Sequence, residues 1–169
     1  LQDKRVHLHF DDGRRWLKLH PKRKYNLIVM NTTYYWRSYA SNLLSQSFLQ
    51  LIHQHMLPKA ILAYNTTFSP DAFKTAGAVF KYPYLYNSFV IAADFDWRKK
   101  LEQPAAIKKL AALQLDGKPL YPTNSQKLIQ THLNVPIVPL STIENYYQAH
   151  GRQLEVITDD NLISEYKYG

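Results

Sequence analysis

The run NLIVM, residues Asn26–Met30, is apolar almost throughout and ends abruptly at the polar sequence NTT. A run of this length is typical of a strand buried on both faces, as in a parallel sheet. A second apolar run, Ala60–Tyr64, also ends at an NTT sequence. Between the two, Ser41–Met56 places apolar residues on one face at helical spacing. Strand, helix and strand in this order predict an α/β domain with parallel strands.

The same pattern extends in both directions from this unit. Towards the N-terminus, Val6–Phe10 alternates apolar and polar residues, which predicts a further strand. Towards the C-terminus, Ser69 and Pro70 form a helix-start signal, because serine caps well and proline suits the first helical position. Tyr82–Tyr86 and Ser88–Ala93 then predict an antiparallel strand pair.

The remaining third of the chain is more irregular. We expect a helix over Trp97–Leu115 that is interrupted at Pro104, and further helices over Ser125–Leu133 and Thr142–His150. Val135–Leu140 is predicted to be extended, Leu154–Ile157 to be an edge strand and Thr158–Asn161 to be a polar turn. The interpretation is one domain over 1–169, with a sheet core in 1–95 and a helical extension in 96–169 packed on it.

Composition limits the class of protein. Of the 169 residues 46% are hydrophobic and 20% charged, which is ordinary for a globular domain. The absence of cysteine excludes disulfides and thiolate chemistry, and it suits a reducing cytoplasm. No apolar run approaches the roughly 20 residues of a membrane-spanning helix. We expect a cytoplasmic protein, or the cytoplasmic domain of a membrane-anchored one.

The formal charge of +8 is concentrated in the first part of the chain, most densely over Arg14–Lys24. One interpretation is an anionic partner, either nucleic acid or the inner membrane surface. The other is a solvated helix face followed by a basic loop. Nucleic acid ranks last, because the aromatic residues fit core and strand positions.

Unusual polar residues follow three predicted strands: Asp11-Asp12-Gly13, residues 31–37, and Asn65-Thr66-Thr67. Ligands of open α/β sheets bind beyond the carboxyl ends of the strands. If the strands are parallel, all three groups lie along one edge of the sheet. The sequence therefore predicts a ligand site at that edge.

Three segments, HLHFDDGRRWL (7–17), YNLIVMNTTYYWR (25–37) and NLLSQSFLQLIHQHMLPKAILAYNTT (42–67), together resemble the polyamine aminopropyltransferases. These spermidine-synthase-like enzymes share the Rossmann-like fold of class I S-adenosylmethionine-dependent methyltransferases. The resemblance implies a sheet of order 3-2-1-4-5-7-6 with an antiparallel last pair. By this resemblance, the chain is expected to supply strands 3 to 7 of the usual seven.

The resemblance implies a cofactor contact and an acceptor contact. Asp12, followed by Gly13, matches the acidic residue that binds the adenine of S-adenosylmethionine or its decarboxylated form. The alternative is that Asp12 caps the next helix. Asn31 matches the aspartate that deprotonates the attacking amine. Asparagine cannot act as a base, but its carbonyl oxygen can orient an amine.

The acceptor pocket is implied to include Tyr34, Asn65 and Thr66. Tyr34 stands where the family has its second acidic residue, and Asn65 where it often has glutamine. The two acids that a polyamine requires are those replaced by Asn31 and Tyr34, and both are absent. A less cationic amine acceptor is therefore expected. Trp36 and Arg37 either close this pocket or pack on the following helix.

The Gly-rich cofactor loop of the family has no counterpart here, since no GxGxG sequence occurs. We expect that loop upstream of Leu1, and only weak binding of the cofactor by this chain alone. The predicted Val6–Phe10 strand then lacks the neighbouring strands that it has in the family. We therefore expect Val6–Phe10 or the edge of Asn26–Met30 to pair abnormally, or across a homodimer interface.

The sequence thus predicts a transferase domain that moves an aminopropyl or methyl group to a small-molecule amine, although this chain alone is expected to be inactive. The alternative is a catalytically degenerate domain that binds a ligand or a partner. No metal is expected. His7 and His9 form an HxH pair, but no third ligand is evident.

Overall fold

The computed structural model describes residues 3–31, 41–66, 68–101, 104–121, 129, 131 and 134–161. The strands in these ranges are β1 (Tyr25–Met30), β2 (Met56–Asn65), β3 (Tyr82–Tyr86), β4 (Phe89–Ala93), β5 (Gln114–Leu115), β6 (Lys118–Pro119) and β7 (Ile137–Pro139). The helices are α1 (Gly13–Leu19), α2 (Gln46–Gln54), α3 (Pro70–Gly77), α4 (Arg98–Leu101), α5 (Pro104–Ala111) and α6 (Leu140–Ala149), with a 3-10 turn at Ser41–Leu43.

A mixed sheet of five strands, in the order β1-β2-β4-β3-β7, forms the centre of the fold. β1 and β2 are parallel, and the register places Leu27 beside Ile61 and Met30 beside Tyr64. β4 is antiparallel to both β2 and β3, and β7 is antiparallel to β3. The predicted α/β class, the parallel β1–β2 pair and the antiparallel β3–β4 pair are confirmed.

Local signals explain where α2 and α3 begin. The Ser69 hydroxyl accepts a hydrogen bond from the Ala72 amide at 3.3 Å, and Pro70 is the first helical residue, as predicted. Ser45 caps α2 in the same way, through the Phe48 amide. The helix predicted over Ser41–Met56 is therefore divided into the 3-10 turn and α2.

The main core lies between one face of the sheet and helices α2 and α3. Its buried side chains come from both helices, from β2 and β4, and from segments outside the helices and strands: Leu44, Phe48, Leu49, Ile52, Leu62, Tyr64, Ala72, Phe73, Ala76, Phe80, Val90, Ala92 and Ile157. The Tyr64 hydroxyl donates to the Ala72 carbonyl at 2.6 Å, which ties β2 to α3. Burial raises the pKa of Tyr64.

The opposite face of the sheet is only partly covered. Near α4, Trp97 packs edge-on against Tyr84, with 5.6 Å between ring centroids. On β1, however, Leu27 and Val29 are 59% and 62% exposed. The prediction that this strand is buried on both faces is therefore wrong for the described residues, in which no element covers the Leu27–Val29 side.

Two predicted strands are not observed. Val6–Phe10 has no strand pairing in the described part of the chain, and Phe10 is 96% exposed. Alternation alone does not make a strand, because the backbone also needs a partner to hydrogen-bond. Leu154–Ile157 is not a strand either. It belongs to a C-terminal strap, residues 152–161, that crosses α2 and α3. The strap is held by side-chain hydrogen bonds and by a backbone hydrogen bond from the Gln46 amide to the Ile157 carbonyl at 2.8 Å.

The remaining predictions for the C-terminal third are partly confirmed. Helix α6 and strand β7 match the predicted helix and extended segment, and β7 completes the sheet. The helix predicted over Trp97–Leu115 is observed as two helices, α4 and α5, the second of which begins at Pro104 and ends at Ala111. The last predicted helical residues belong instead to the β5–β6 hairpin, which turns at Asp116 and Gly117 with positive φ. Most of the predicted helix Ser125–Leu133 lies outside the described residues.

Candidate functional site

The carboxyl ends of β1 and β2 lie side by side, as their parallel register requires. Asn31 follows β1, and Asn65 is the last residue of β2. The Asn65 Nδ2 atom donates a hydrogen bond to Asn31 Oδ1 at 3.2 Å. An amide oxygen carries two lone pairs, so Asn31 Oδ1 can accept a second hydrogen bond from an amine N–H. The structure thus brings together two of the three predicted strand ends.

The third predicted group lies at the start of α1. Asp12 is the N-cap, and its Oδ1 accepts a hydrogen bond from the Arg15 amide at 2.8 Å. The capping role is therefore observed, whereas the adenine contact remains a prediction. The side chain of Asp12 is exposed, and Gly13 is the first helical residue.

A groove of about 550 Å³ runs along β1. Asp11 and Gly13, on either side of Asp12, line it together with Met30, the last residue of β1. The rest of its surface is mainly apolar, with Trp16 and Leu17 among the lining residues. The loop before α1 and the end of β1 therefore open onto a common groove.

Thr66, predicted to line the acceptor pocket, is 2% exposed. Its amide and its hydroxyl both donate to the Ser88 carbonyl, at 2.8 and 3.0 Å. These bonds attach the end of β2 to the turn between β3 and β4. The other predicted pocket residues, Tyr34, Trp36 and Arg37, lie outside the described residues.

A second, smaller cavity lies beside Thr66, and no sequence motif indicates it. This hairpin cavity of about 240 Å³ is bounded by Thr66, by residues 68–70, by Phe73 of α3, by the β3–β4 hairpin and by Ile143 and Tyr147 of α6. Its walls come from segments distant in sequence. A pattern search over a short window could not have found them.

Sequence reasoning also missed an ion pair beside α1. Arg14 donates to both carboxylate oxygens of Asp159, at 2.8 and 2.5 Å. The hydroxyls of Ser45 and Ser47 donate to the same carboxylate, at 2.6 and 2.7 Å. Arg14, followed by the two hydroxyls, holds the pKa of Asp159 well below its usual range. Asp159 therefore anchors the C-terminal strap to the elements that frame the groove.

The rest of the basic stretch is partly engaged within the molecule. Arg15 pairs with Asp11 at 2.9 Å, and the Arg23 guanidinium lies 6.0 Å from the Trp16 ring centroid. The Lys24 ammonium donates to the Gln54 carbonyl. These contacts account for several of the positive charges without an external anion.

The described residues contain no group of three His, Asp or Glu side chains placed to share a metal ion. His9, of the HxH pair, packs against Trp16 with 5.2 Å between ring centroids. In the same ranges, no helix has both the length and the apolar character that crossing a bilayer requires.

Comparison of the sequence with models of known families finds no match, and a search of curated proteins finds no significant relative.

Proposed function

We propose that this chain is part of a spermidine-synthase-like transferase that passes an aminopropyl or methyl group from an S-adenosylmethionine-type donor to an amine. In this proposal Asp12 and Gly13 contact the adenosine part of the donor. Asn31 and Asn65 orient the acceptor nitrogen at the carboxyl edge of the sheet. Asn31 acts through its carbonyl oxygen and takes no proton, since an amide is not a base at working pH.

The order and direction of the strands support the Rossmann-like part of the proposal. The implied sheet has the order 3-2-1-4-5-7-6 with strand 7 reversed. Strands β1, β2, β4 and β3 follow the portion 4-5-7-6, and β4 is the antiparallel member. Helix α2 connects β1 to β2, as a parallel crossover requires.

The observation that carries the proposal is the hydrogen bond between Asn31 and Asn65. It joins the ends of two adjacent parallel strands, which is where open α/β sheets bind ligands. This amide pair carries no charge, and the exposed Asn31 keeps a lone pair on Oδ1 that can accept a further hydrogen bond. The site therefore suits an amine that is presented neutral or carries a single charge better than a polyamine.

The test is a transfer assay with the full-length gene product, labelled donor and a set of amines. Asn31→Ala is expected to lower the rate by about 100-fold, because loss of an orienting contact misplaces the nitrogen. Asn26→Ala, at the other end of β1, is the matched control and should leave the rate unchanged. Equal rates for wild type and Asn31→Ala, or no transfer to any amine, would refute the proposal.

A second candidate is a binding domain that has lost catalysis. The replacement of the family's base by Asn31 favours it, since no proton acceptor occupies that position. This domain would bind an amine through Asn31 and transfer nothing. Asn31→Asp separates the two candidates: in a transferase it restores a base and should raise the rate for cationic amines, whereas in a binding domain it produces no turnover.

A further inference from the structure

We propose that the acceptor is an aromatic amine, whose nitrogen is neutral before it binds, and that Phe89 and Tyr86 bind its ring. The proposal rests on the transferase function proposed above and adds the chemical class of the acceptor. The ring contact is tested below by binding alone, so it holds or fails independently of transfer.

The strand register places two aromatic residues on the same face of the sheet as the amide pair. Asn65 lies opposite Phe89 in the β2–β4 pair, and Phe89 lies opposite Tyr86 in the β3–β4 pair. Successive side chains of a strand point to opposite faces. Because Tyr64 and Val90 pack in the main core, their neighbours Asn65 and Phe89 stand on the other face, together with Tyr86.

An edge row of four side chains therefore crosses the end of the sheet from β1 to β3, and it consists of Asn31, Asn65, Phe89 and Tyr86. Asn65 Nδ2 donates to Asn31 Oδ1 at 3.2 Å. Directly opposite side chains on one face have Cβ atoms about 5 Å apart. Asn31 is exposed and the other three are half-buried. A substituent on a nitrogen that donates to Asn31 Oδ1 reaches the Phe89 ring when it extends across Asn65.

The rings of the edge row favour an aromatic substituent on that nitrogen. Phe89 and Tyr86 lie opposite each other beside the turn of the β3–β4 hairpin, so their side chains form one aromatic surface. Aromatic faces attract other rings in edge-on or offset contacts, beyond what burial of the same area provides. An aliphatic chain in this place would gain the burial but not the ring contact.

The edge row supplies no base, and this restricts the acceptor further. Its side chains are two amides, a phenyl ring and a phenol, with no carboxylate and no imidazole. An alkylamine with a pKa near that of lysine, about 10.4, is neutral in only about one molecule in 2,500 at pH 7. Such an amine needs a base before its nitrogen can attack. An aromatic amine needs none, because its ring withdraws the nitrogen lone pair and keeps it neutral at pH 7.

The transfer step balances without a protein base. The nitrogen lone pair forms a bond to the methyl or aminopropyl carbon of the donor, and the bond from that carbon to sulfur breaks. The sulfur keeps the electron pair and leaves as a neutral thioether. The nitrogen, now cationic, releases its proton to water, because an aromatic ammonium is a sufficiently strong acid. Asn31 Oδ1 accepts a hydrogen bond from the nitrogen during the attack and takes no proton.

The experiment is an NMR titration of the full chain with the isomers p-toluidine and benzylamine. Each has one ring and one amino group, but p-toluidine is neutral at pH 7 and benzylamine is a cation. We expect p-toluidine to bind about tenfold more tightly, because the edge row carries no charge to offset the desolvation of a cation. It should also shift the ring signals of Phe89 and Tyr86.

Phe89→Leu keeps an apolar side chain and should weaken the binding of p-toluidine by about three- to tenfold, since it removes one ring contact. Phe10→Leu, the matched control, makes the same change at a ring that is 96% exposed and should alter nothing. Tyr86→Leu repeats the test from β3 if Phe89→Leu does not fold. Asn31→Asp should reverse the order of the two isomers, because a carboxylate attracts the benzylamine cation.

Two outcomes separate this proposal from the transferase function. If benzylamine binds the wild type as tightly as p-toluidine, or if Phe89→Leu behaves like Phe10→Leu, the acceptor class is overturned even where the full-length protein transfers to alkylamines. If p-toluidine binds at the edge row but the full-length protein transfers to no amine, the ring site stands and the transferase function is wrong.

Discussion

At the scale of single residues, Asp159 is the side chain whose ionisation has the clearest consequence. Its pKa is lowered by Arg14 and then by Ser45 and Ser47. A carboxylate with a lowered pKa in the folded state stabilises the fold above its unfolded pKa of about 4, and this contribution is lost as the pH falls further. We therefore expect Asp159→Asn to lower the free energy of unfolding at pH 7 by about 1 kcal/mol, allowing for solvent screening of a partly exposed pair.

Urea unfolding between pH 7 and pH 2 measures this effect. The difference between wild type and Asp159→Asn should be constant above about pH 5 and should shrink below about pH 4, where the unfolded chain takes up the proton. Asp160→Asn is the matched control, because it changes the same charge one residue away from the Arg14 contact. A difference that persists undiminished at pH 2, or an equal loss in Asp160→Asn, would contradict the assignment.

At the scale of elements, the C-terminal strap is held to α3 by side chains rather than by strand pairing. Asp71 is 2% exposed and accepts hydrogen bonds from Arg152 at 2.7 Å and from the Glu155 amide at 2.9 Å. The Thr75 hydroxyl accepts from the Ile157 amide at 2.9 Å and donates to the Asp71 carbonyl. One turn of α3 thus supplies the partners that a neighbouring strand would otherwise provide.

Thr75→Val tests this arrangement, because it keeps the shape of the side chain and removes its hydroxyl. The buried Ile157 amide then has no acceptor, and the free energy of unfolding should fall by about 1–3 kcal/mol. Hydrogen exchange should accelerate at the Ile157 amide before it does so in β2. Thr75→Ser keeps the oxygen and should retain the slow exchange. If the Ile157 amide exchanges equally slowly in Thr75→Val, the strap is held by other contacts.

The helices and strands also show which parts of the fold could be predicted from the sequence. Ser69 and Pro70 predicted the start of α3 correctly, because a cap and a first-turn proline act within a few residues. The strand predicted over Val6–Phe10 is not observed, because alternation specifies which face of a strand is apolar but not whether a partner strand exists. The Arg14–Asp159 pair and the hairpin cavity join residues far apart in the chain. They depend on the completed sheet, which no local pattern contains.

At the scale of the whole molecule, we expect the side of β1 that no described strand pairs with to influence behaviour in solution. β1 is the edge strand of the described sheet, and Leu27 and Val29 lie exposed on one of its faces. An unprotected edge with apolar side chains pairs readily with another strand. The formal charge of +8 opposes the approach of a second copy, and added salt weakens that repulsion. From these two opposing effects we expect any association of the chain to depend on ionic strength.

We therefore expect sedimentation velocity to show a monomer at low salt and a dimer in ~1 M salt, where the Debye length falls to about 3 Å. Val29→Lys should restore the monomer, because it buries a charge in the strand pair and adds to the net positive charge. Leu115→Lys is the control, because it also replaces an exposed apolar residue by lysine. Leu115 is 64% exposed and lies in the β5–β6 hairpin. This variant should leave the dimer intact, since β5 does not join the main sheet. If both variants dissociate the dimer equally, net charge alone controls association and the β1 edge has no special part in it. If the wild type stays monomeric in high salt, the β1 edge does not mediate self-association.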